Sequence, residues 1–415
     1  MKVAYFSPLP PERSGVADYS ALLLPALRER LDVEVVPRGK KRVPRGTDVA
    51  LYHMGNDPEA HGWILEALRG HPGVVVLHEL VLHHLVAGLT LGRRDVATYL
   101  AAMEREAGLV GRLLGLGVVD GCIPPLWESR AEDFPLAGLV LESAEGHGLI
   151  AHSRYVLDGA RTAGYAGPAW TIPHPAWPEP AVEPIDLGGE GPVIGCLGNL
   201  NASKRVPQLL EAFALVLERR PDVRLLLVGA AADRLGLPEL LARSGLPKGS
   251  LLREERVDEP RFWSLMAACD VVVGLRAPTM GETSGSAIRA LSLGRPLVVS
   301  DVGWFAELPS EAVWKVPVDE REVAVLAAGL ERLAGDADLR AAMGAAGREL
   351  VRTEHDLERV ADRYAAALEE AAGGPAVRDA VASDLAAAAA EVGIEAGSAE
   401  AAELGARLRE ARIGE

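Results

Sequence analysis

Residues 192–230 read PVIGCLGNLNASKRVPQLLEAFALVLERRPDVRLLLVGA. VIGCL is a short apolar run that stops at a glycine. GNLNASKR is small and polar, QLLEAFALVLERR repeats apolar residues three and four apart, and VRLLLVG is apolar again. The order is strand, turn, helix, strand. Working outward, the same alternation fills the chain. KVAYFS, VEVVP, VALYHM, GVVVLHE and GLIAHS read as buried strands before it, and VVVGLR, LVVSD and AVWKVP after it. Helical stretches such as DYSALLLPALRER and EAHGWILEALRG lie between. Strands alternating with helices give parallel sheets covered on both faces, so the fold class is α/β.

The pattern restarts after residue 190, and 415 residues suit two domains rather than one. AWPEPAVEPIDLGGEG, rich in Pro, Gly and acid, reads as an exposed linker near residues 176–190. The boundaries expected are 1–178 for the first domain, 190–353 for the second, and 354–415 for a helical segment and tail. Ligands of parallel sheets sit at the carboxyl ends of the strands, so two facing domains would make a cleft. A formal charge of −16 argues against a nucleic-acid binder. Cys122, Cys196 and Cys269 lie far apart without metal spacing and read as buried thiols of the reducing cytoplasm. MKVAYFSPLP reads as a strand and turn rather than a leader. No run of about 18 apolar residues predicts a membrane span; peripheral membrane contact stays open.

Polar residues collect at the predicted strand ends. PTMGETSGSAIRALSLGRPLVVSD (278–301) reads loop, helix, turn, strand. Its helix opens with Gly281, Thr283, Ser284, Gly285 and Ser286, whose backbone N–H groups suit an anion; a plain Ser/Thr cap is the other account. In GNLNASKRVP (198–207) a glycine-led turn places Lys204 as a point charge and Arg205 as a second donor, in a clamp for a diphosphate. The Walker spacing is absent, and a solvated pair is the alternative. In SPLPPERSGVADYS, Gly15 follows the first strand and opens a helix capped near Asp18 or Ser14, which is either a close approach to a ligand or an ordinary turn.

VVVLHELVLHH puts His78 at a strand end, where it is either a polar contact to a substrate or a structural histidine. His53 and Asn56 have the same two readings. His83 and His84 have the wrong spacing for a zinc motif. Asp336 and Asp338 open a helix and read as capping. PRGKKRVPRG (37–46) is a basic loop, solvated or facing anionic lipid.

Taken together, GNLNASKR, LRAPTMGETSG and ALSLGRPLVVSDVGWFAELP resemble the retaining GT-B glycosyltransferases of family 4, with two Rossmann-like domains facing an interdomain cleft. The resemblance implies an acceptor domain at 1–178 and a nucleotide-sugar donor domain at 190–353. It implies that Lys204, after Gly198, binds the donor diphosphate, that Glu282 meets the sugar hydroxyls, and that Thr283 to Ser286 approach the phosphates. Gly15 fits the family's glycine turn after the first strand, and His78 fits a histidine at a strand end near the sugar. Two departures stand out. Asn199 occupies the place of the family's arginine, with Arg205 as its substitute. The second glutamate of Glu-x7-Glu is missing; counting forward gives Ala290, counting back gives Arg289. The activity implied is transfer of a sugar from a nucleoside-diphosphate sugar to a hydroxyl acceptor, with retention, by front-face attack, without metal or other cofactor. A catalytically silent sugar-nucleotide-binding or assembly protein and a nucleotide-sugar epimerase are the rivals.

Overall fold

The computed structural model describes residues 1–410 apart from Arg13, Gly374 and Ala396. The chain divides into two compact units, Met1–His174 with Glu358–Glu415, and Pro175–Leu357. Each is built on a parallel six-stranded sheet.

In the first unit the strands are β1 (Lys2–Phe6), β2 (Asp32–Val35), β3 (Val49–Met54), β4 (Val74–Leu77), β5 (Leu149–Ala151) and β6 (Ala169–Thr171). Their spatial order is β2-β1-β3-β4-β5-β6, with Val3 opposite Val49 and Leu51 opposite Val74. Helices α1 (Gly15–Arg28) and α2 (Pro58–Gly70) follow β1 and β3. Between β4 and β5 the chain inserts helices, the longest spanning Val96–Val119 and broken at Ala107 and Gly108. The helix Leu357–Gly373 belongs to this unit from Glu358 onward. Its Tyr364 hydroxyl lies 2.7 Å from that of Tyr19, and Asp362 accepts from Arg30 at 2.6 Å.

In the second unit the strands are β7 (Val193–Leu197), β8 (Arg224–Val228), β9 (Leu251–Glu254), β10 (Val271–Gly274), β11 (Leu297–Ser300) and β12 (Val313–Val316). They run in the order β12-β11-β10-β7-β8-β9. The pleat sorts their side chains between two apolar layers. Ile194, Cys196, Leu225, Leu227, Val271 and Val273 face one layer. Val193, Leu197, Leu226, Val228 and Val272 face the other. Every one of these is nearly fully buried, which is why the strands read as continuous apolar runs.

One expectation is corrected. Cys122 is exposed; only Cys196 and Cys269 are buried. Most residues of the proline-rich stretch near 176–190 are exposed, while Val182, Ile185 and Leu187 pack against the second unit's core. In the basic loop, Arg38 pairs with Glu12 at 2.9 Å and Lys41 with Glu66 at 2.5 Å. No helix among the described residues is long and apolar enough to cross a membrane.

Candidate functional site

β7 ends at Leu197, and Gly198 turns the chain with φ +108°. A single 3-10 turn, Ala202–Lys204, then leads into the helix Val206–Arg219. Lys204 folds back over this turn, and its Nζ donates to the Leu197 carbonyl at 2.7 Å. The residue is only 8% exposed. Burial lowers its pKa to about 8; Arg276 pushes the same way, while Cys196 and Glu282 oppose the shift. A Cβ on Gly198 would stand 2.7 Å from Nζ, so a side chain there would displace the ammonium.

β10 is the sheet neighbour of β7, and Arg276 follows it. The Arg276 backbone N–H donates to Ser300 Oγ at 2.9 Å, which ties the loop to the end of β11. Its Nη1 donates to Ser203 Oγ at 3.0 Å, and its Nε lies 2.8 Å from Glu282 Oε1. Glu282 Oε2 accepts from the Met280 N–H at 2.8 Å. Two cations and one carboxylate thus gather at the carboxyl ends of adjacent parallel strands, where α/β sheets bind their ligands.

The helix expected here begins later than its sequence suggests, spanning Gly285–Ser292. Gly281 and Thr283 lie in the preceding loop. Ser284 is the cap: its hydroxyl accepts from the Ala287 N–H at 3.3 Å and lies 3.1 Å from Ser286 Oγ. The N–H groups of Gly285 and Ser286 have no partner within the helix, at its positive end. The Cβ position of Gly198 is 3.9 Å from Ser286 Oγ, so this helix start adjoins the Lys204 turn. Thr283 Oγ1 is buried and has no hydrogen-bond partner among the described residues. Asn199 is exposed.

Arg205, expected at the phosphates, and Arg289, counted to the place of the missing second glutamate, both have partners within the protein. Arg205 pairs with Glu322, whose carboxylate is 2% exposed and takes both Nε and Nη2. Arg289 pairs with Glu259 at 3.0 Å, and its guanidinium lies 3.6 Å from the ring centroid of Trp177. Sequence reading passed over Arg276. A lone arginine inside LRAPTMGETSG carries no spacing that distinguishes it.

In the first unit, Gly15 is the first residue of α1, capped by Ser14, whose Oγ accepts from the Ala17 N–H at 3.1 Å. His78 follows β4 and is buried in a row of imidazoles. His152 Nδ1 lies 2.8 Å from the Ile172 carbonyl oxygen, which only accepts, so that nitrogen carries the proton. His152 Nε2 is then an acceptor for His78 Nδ1–H at 3.3 Å, and His78 Nε2 an acceptor for His53 Nδ1–H at 3.0 Å. Burial, followed by the neighbouring imidazoles, holds His53 and His78 well below the usual histidine range. Both ring nitrogens of His78 therefore have imidazole partners in the empty site.

The remaining polar motifs make contacts within the protein. His83 bonds the Phe134 carbonyl and the Tyr99 hydroxyl, both at 2.9 Å. Asn56 Oδ1 accepts from the Leu85 N–H at 3.1 Å. Asp336 caps the helix Ala337–Glu354. No group of three or more metal-ligating side chains is placed to hold an ion among the described residues.

Residues 191–336 match the family model described as glycosyl transferases group 1. The chain is 32% identical over 178 residues to the GDP-mannose-dependent monoacylated alpha-(1-6)-phosphatidylinositol monomannoside mannosyltransferase of Corynebacterium glutamicum. That match spans 41% of this chain and 45% of the relative, less than half of its length. Sucrose-phosphate synthase from Thermosynechococcus elongatus superposes with a TM-score of 0.63 at 18% identity, over 89% of this chain and 98% of the other. Anabaena HepE in complex with UDP and glucose gives 0.59 at 17%, over 89% and 100%. WaaG, a glycosyltransferase involved in lipopolysaccharide biosynthesis, gives 0.56 at 14%, over 88% and 98%. The two parallel sheets with their helices are the GT-B fold of these structures.

Proposed function

We propose that this protein transfers a sugar from a nucleoside-diphosphate sugar to a hydroxyl acceptor, with retention at the anomeric carbon. The observation that carries the reading is Lys204, a buried ammonium held at the carboxyl end of β7 beside the first N–H groups of the helix Gly285–Ser292. Burying a charge is costly unless something compensates it. A diphosphate on Lys204 and the amides of Gly285 and Ser286 supplies that compensation. The same groups stabilise the charge that grows on the leaving diphosphate, the part a metal ion plays elsewhere, so the reaction needs no metal. The carboxylate of Glu282 accepts from the sugar hydroxyls. The acceptor oxygen attacks the anomeric carbon on the face the diphosphate leaves. The C–O bond to the phosphate breaks, and the leaving phosphate oxygen takes the acceptor's proton. No protein nucleophile enters.

The group 1 match over the second unit and the mannosyltransferase relative support sugar transfer. The relative's name specifies a GDP donor and a neighbour's title UDP, which makes these the first donors to test. The test is calorimetric titration with UDP, GDP, ADP and dTDP, with and without EDTA. Micromolar binding of one nucleotide, unchanged by EDTA and lost in Lys204→Ala, is the expected result. Binding of none by the folded protein would sink the reading and favour a silent assembly protein.

A further inference from the structure

The proposed donor site holds one carboxylate among two cations. Lys204 and Arg276 carry two positive charges and Glu282 one negative, so the empty site has one cation in excess. Arg205 and Glu322 neutralise each other and do not correct this. The side chains of Arg276 and Glu282 are 13% and 22% exposed, and Lys204 is more deeply buried than either. A guanidinium has five N–H donors in a planar fork, a match for the paired oxygens of a phosphate. Among the described residues only Nη1 of these donors makes a hydrogen bond, to Ser203; Nε faces the Glu282 carboxylate at 2.8 Å as an ion pair without hydrogen-bond geometry. Ser203 is the residue before Lys204, and its carbonyl also accepts from the Ala277 N–H at 2.8 Å. The arginine loop and the lysine turn are therefore laced together at two points.

We propose that Arg276 is a second diphosphate-binding residue, parked on Glu282 while the site is empty. A bound diphosphate takes over the guanidinium, and the Glu282 carboxylate is released to the hydroxyls of the donor sugar. This inference rests on the diphosphate reading given above. It assigns Glu282 two successive partners, so that phosphate binding prepares the contact to the sugar. It also makes the pair a cost on binding of the bare nucleotide, because the arginine must be drawn from its carboxylate.

The experiment is calorimetric titration of the nucleoside diphosphate that binds the wild-type chain, and of its sugar conjugate, into Arg276→Ala, Arg276→Lys and Glu282→Gln. Loss of a charge-assisted contact in Arg276→Ala weakens the bare diphosphate by about tenfold or more, and Arg276→Lys recovers part of it. Glu282→Gln frees the arginine, so it binds the bare diphosphate more tightly and the sugar conjugate more weakly. A strut that only positions Glu282 gives a different pattern: Arg276→Ala then holds the bare diphosphate like wild type and loses only the conjugate. That pattern, or unchanged diphosphate affinity in Glu282→Gln, overturns the inference. Glu282→Gln keeps both cations and decides the matter if Arg276→Ala fails to fold. Where the wild-type chain binds no diphosphate, the functional reading itself has failed. Where Lys204→Ala abolishes binding and Arg276→Ala does not, only the present inference has.

Discussion

Gly198 and Lys204 occupy each other's space: a Cβ on the glycine would fall 2.7 Å from the lysine Nζ, at a backbone φ of +108°. A glycine is required there both for the turn and for the ammonium. Gly198→Ala is expected to cost roughly 1–3 kcal/mol of stability through backbone strain. It also displaces the charge, weakening nucleoside diphosphate about tenfold or more. Thermal melts and calorimetry on the same variant measure the two effects. Wild-type affinity in a folded Gly198→Ala chain would remove Lys204 from the phosphate site.

Lys204 also sets a pH dependence. Burial first, with Arg276 adding to it, lowers its pKa to about 8 in the empty site. An anion favours the charged form, so binding raises that pKa again. Below pH 8 the lysine is already protonated and affinity does not depend on its titration. Above pH 8 the ligand must draw a proton in, and affinity falls by up to about tenfold per pH unit. At pH 9 the binding enthalpy is expected to differ between buffers of different ionisation heat by the uptake of a proton. Equal enthalpies, with an affinity flat from pH 7 to 9.5, would contradict the lysine's role.

The sheets and the Lys204 turn were legible because their determinants are local. Val193, Leu197, Ile194 and Cys196 are buried on alternate faces, and an apolar run of that length followed by glycine has few other readings. The edge strands Ala169–Thr171 and Leu251–Glu254 escaped, since half-buried residues at a sheet margin carry no such run. Side-chain partners were not legible. Arg205 meets Glu322 from 117 positions away, and Arg289 stacks on Trp177. Both cations sit beside the expected site in sequence and are consumed by tertiary contacts. His78 likewise loses its two nitrogens to His53 and His152, which other strands deliver.

The buried imidazoles make the first unit acid-sensitive. Burial, as the largest cause, depresses the pKa of His61 and His83 to about 4 and holds His53 and His78 well below the usual range. The unfolded chain takes up these protons as pH falls through about 6.5, while the folded chain resists until about 4. Stability present above pH 6.5 is therefore lost progressively between these values. His61 and His83 each account for about 3 kcal/mol across the window, on the order of 1.4 kcal/mol per pH unit and group. Thermal melts from pH 7 to 4.5 are expected to show a steep fall, and a flat profile would mean that these rings are solvated.

Arg205 separates a structural cation from a binding one. Its guanidinium is the partner of Glu322, a carboxylate only 2% exposed that opens the helix Glu322–Gly335. Removing it leaves a buried charge unpaired, at a cost of roughly 3 kcal/mol or more. The double change Arg205→Met with Glu322→Leu removes both charges and is expected to recover most of that loss, because a buried pair contributes little net stability over an apolar one. Diphosphate affinity in the folded double variant should stay within a few-fold of wild type. A collapse of affinity there, with stability intact, would return Arg205 to the phosphate site and make its contact with Glu322 a feature of the empty protein alone.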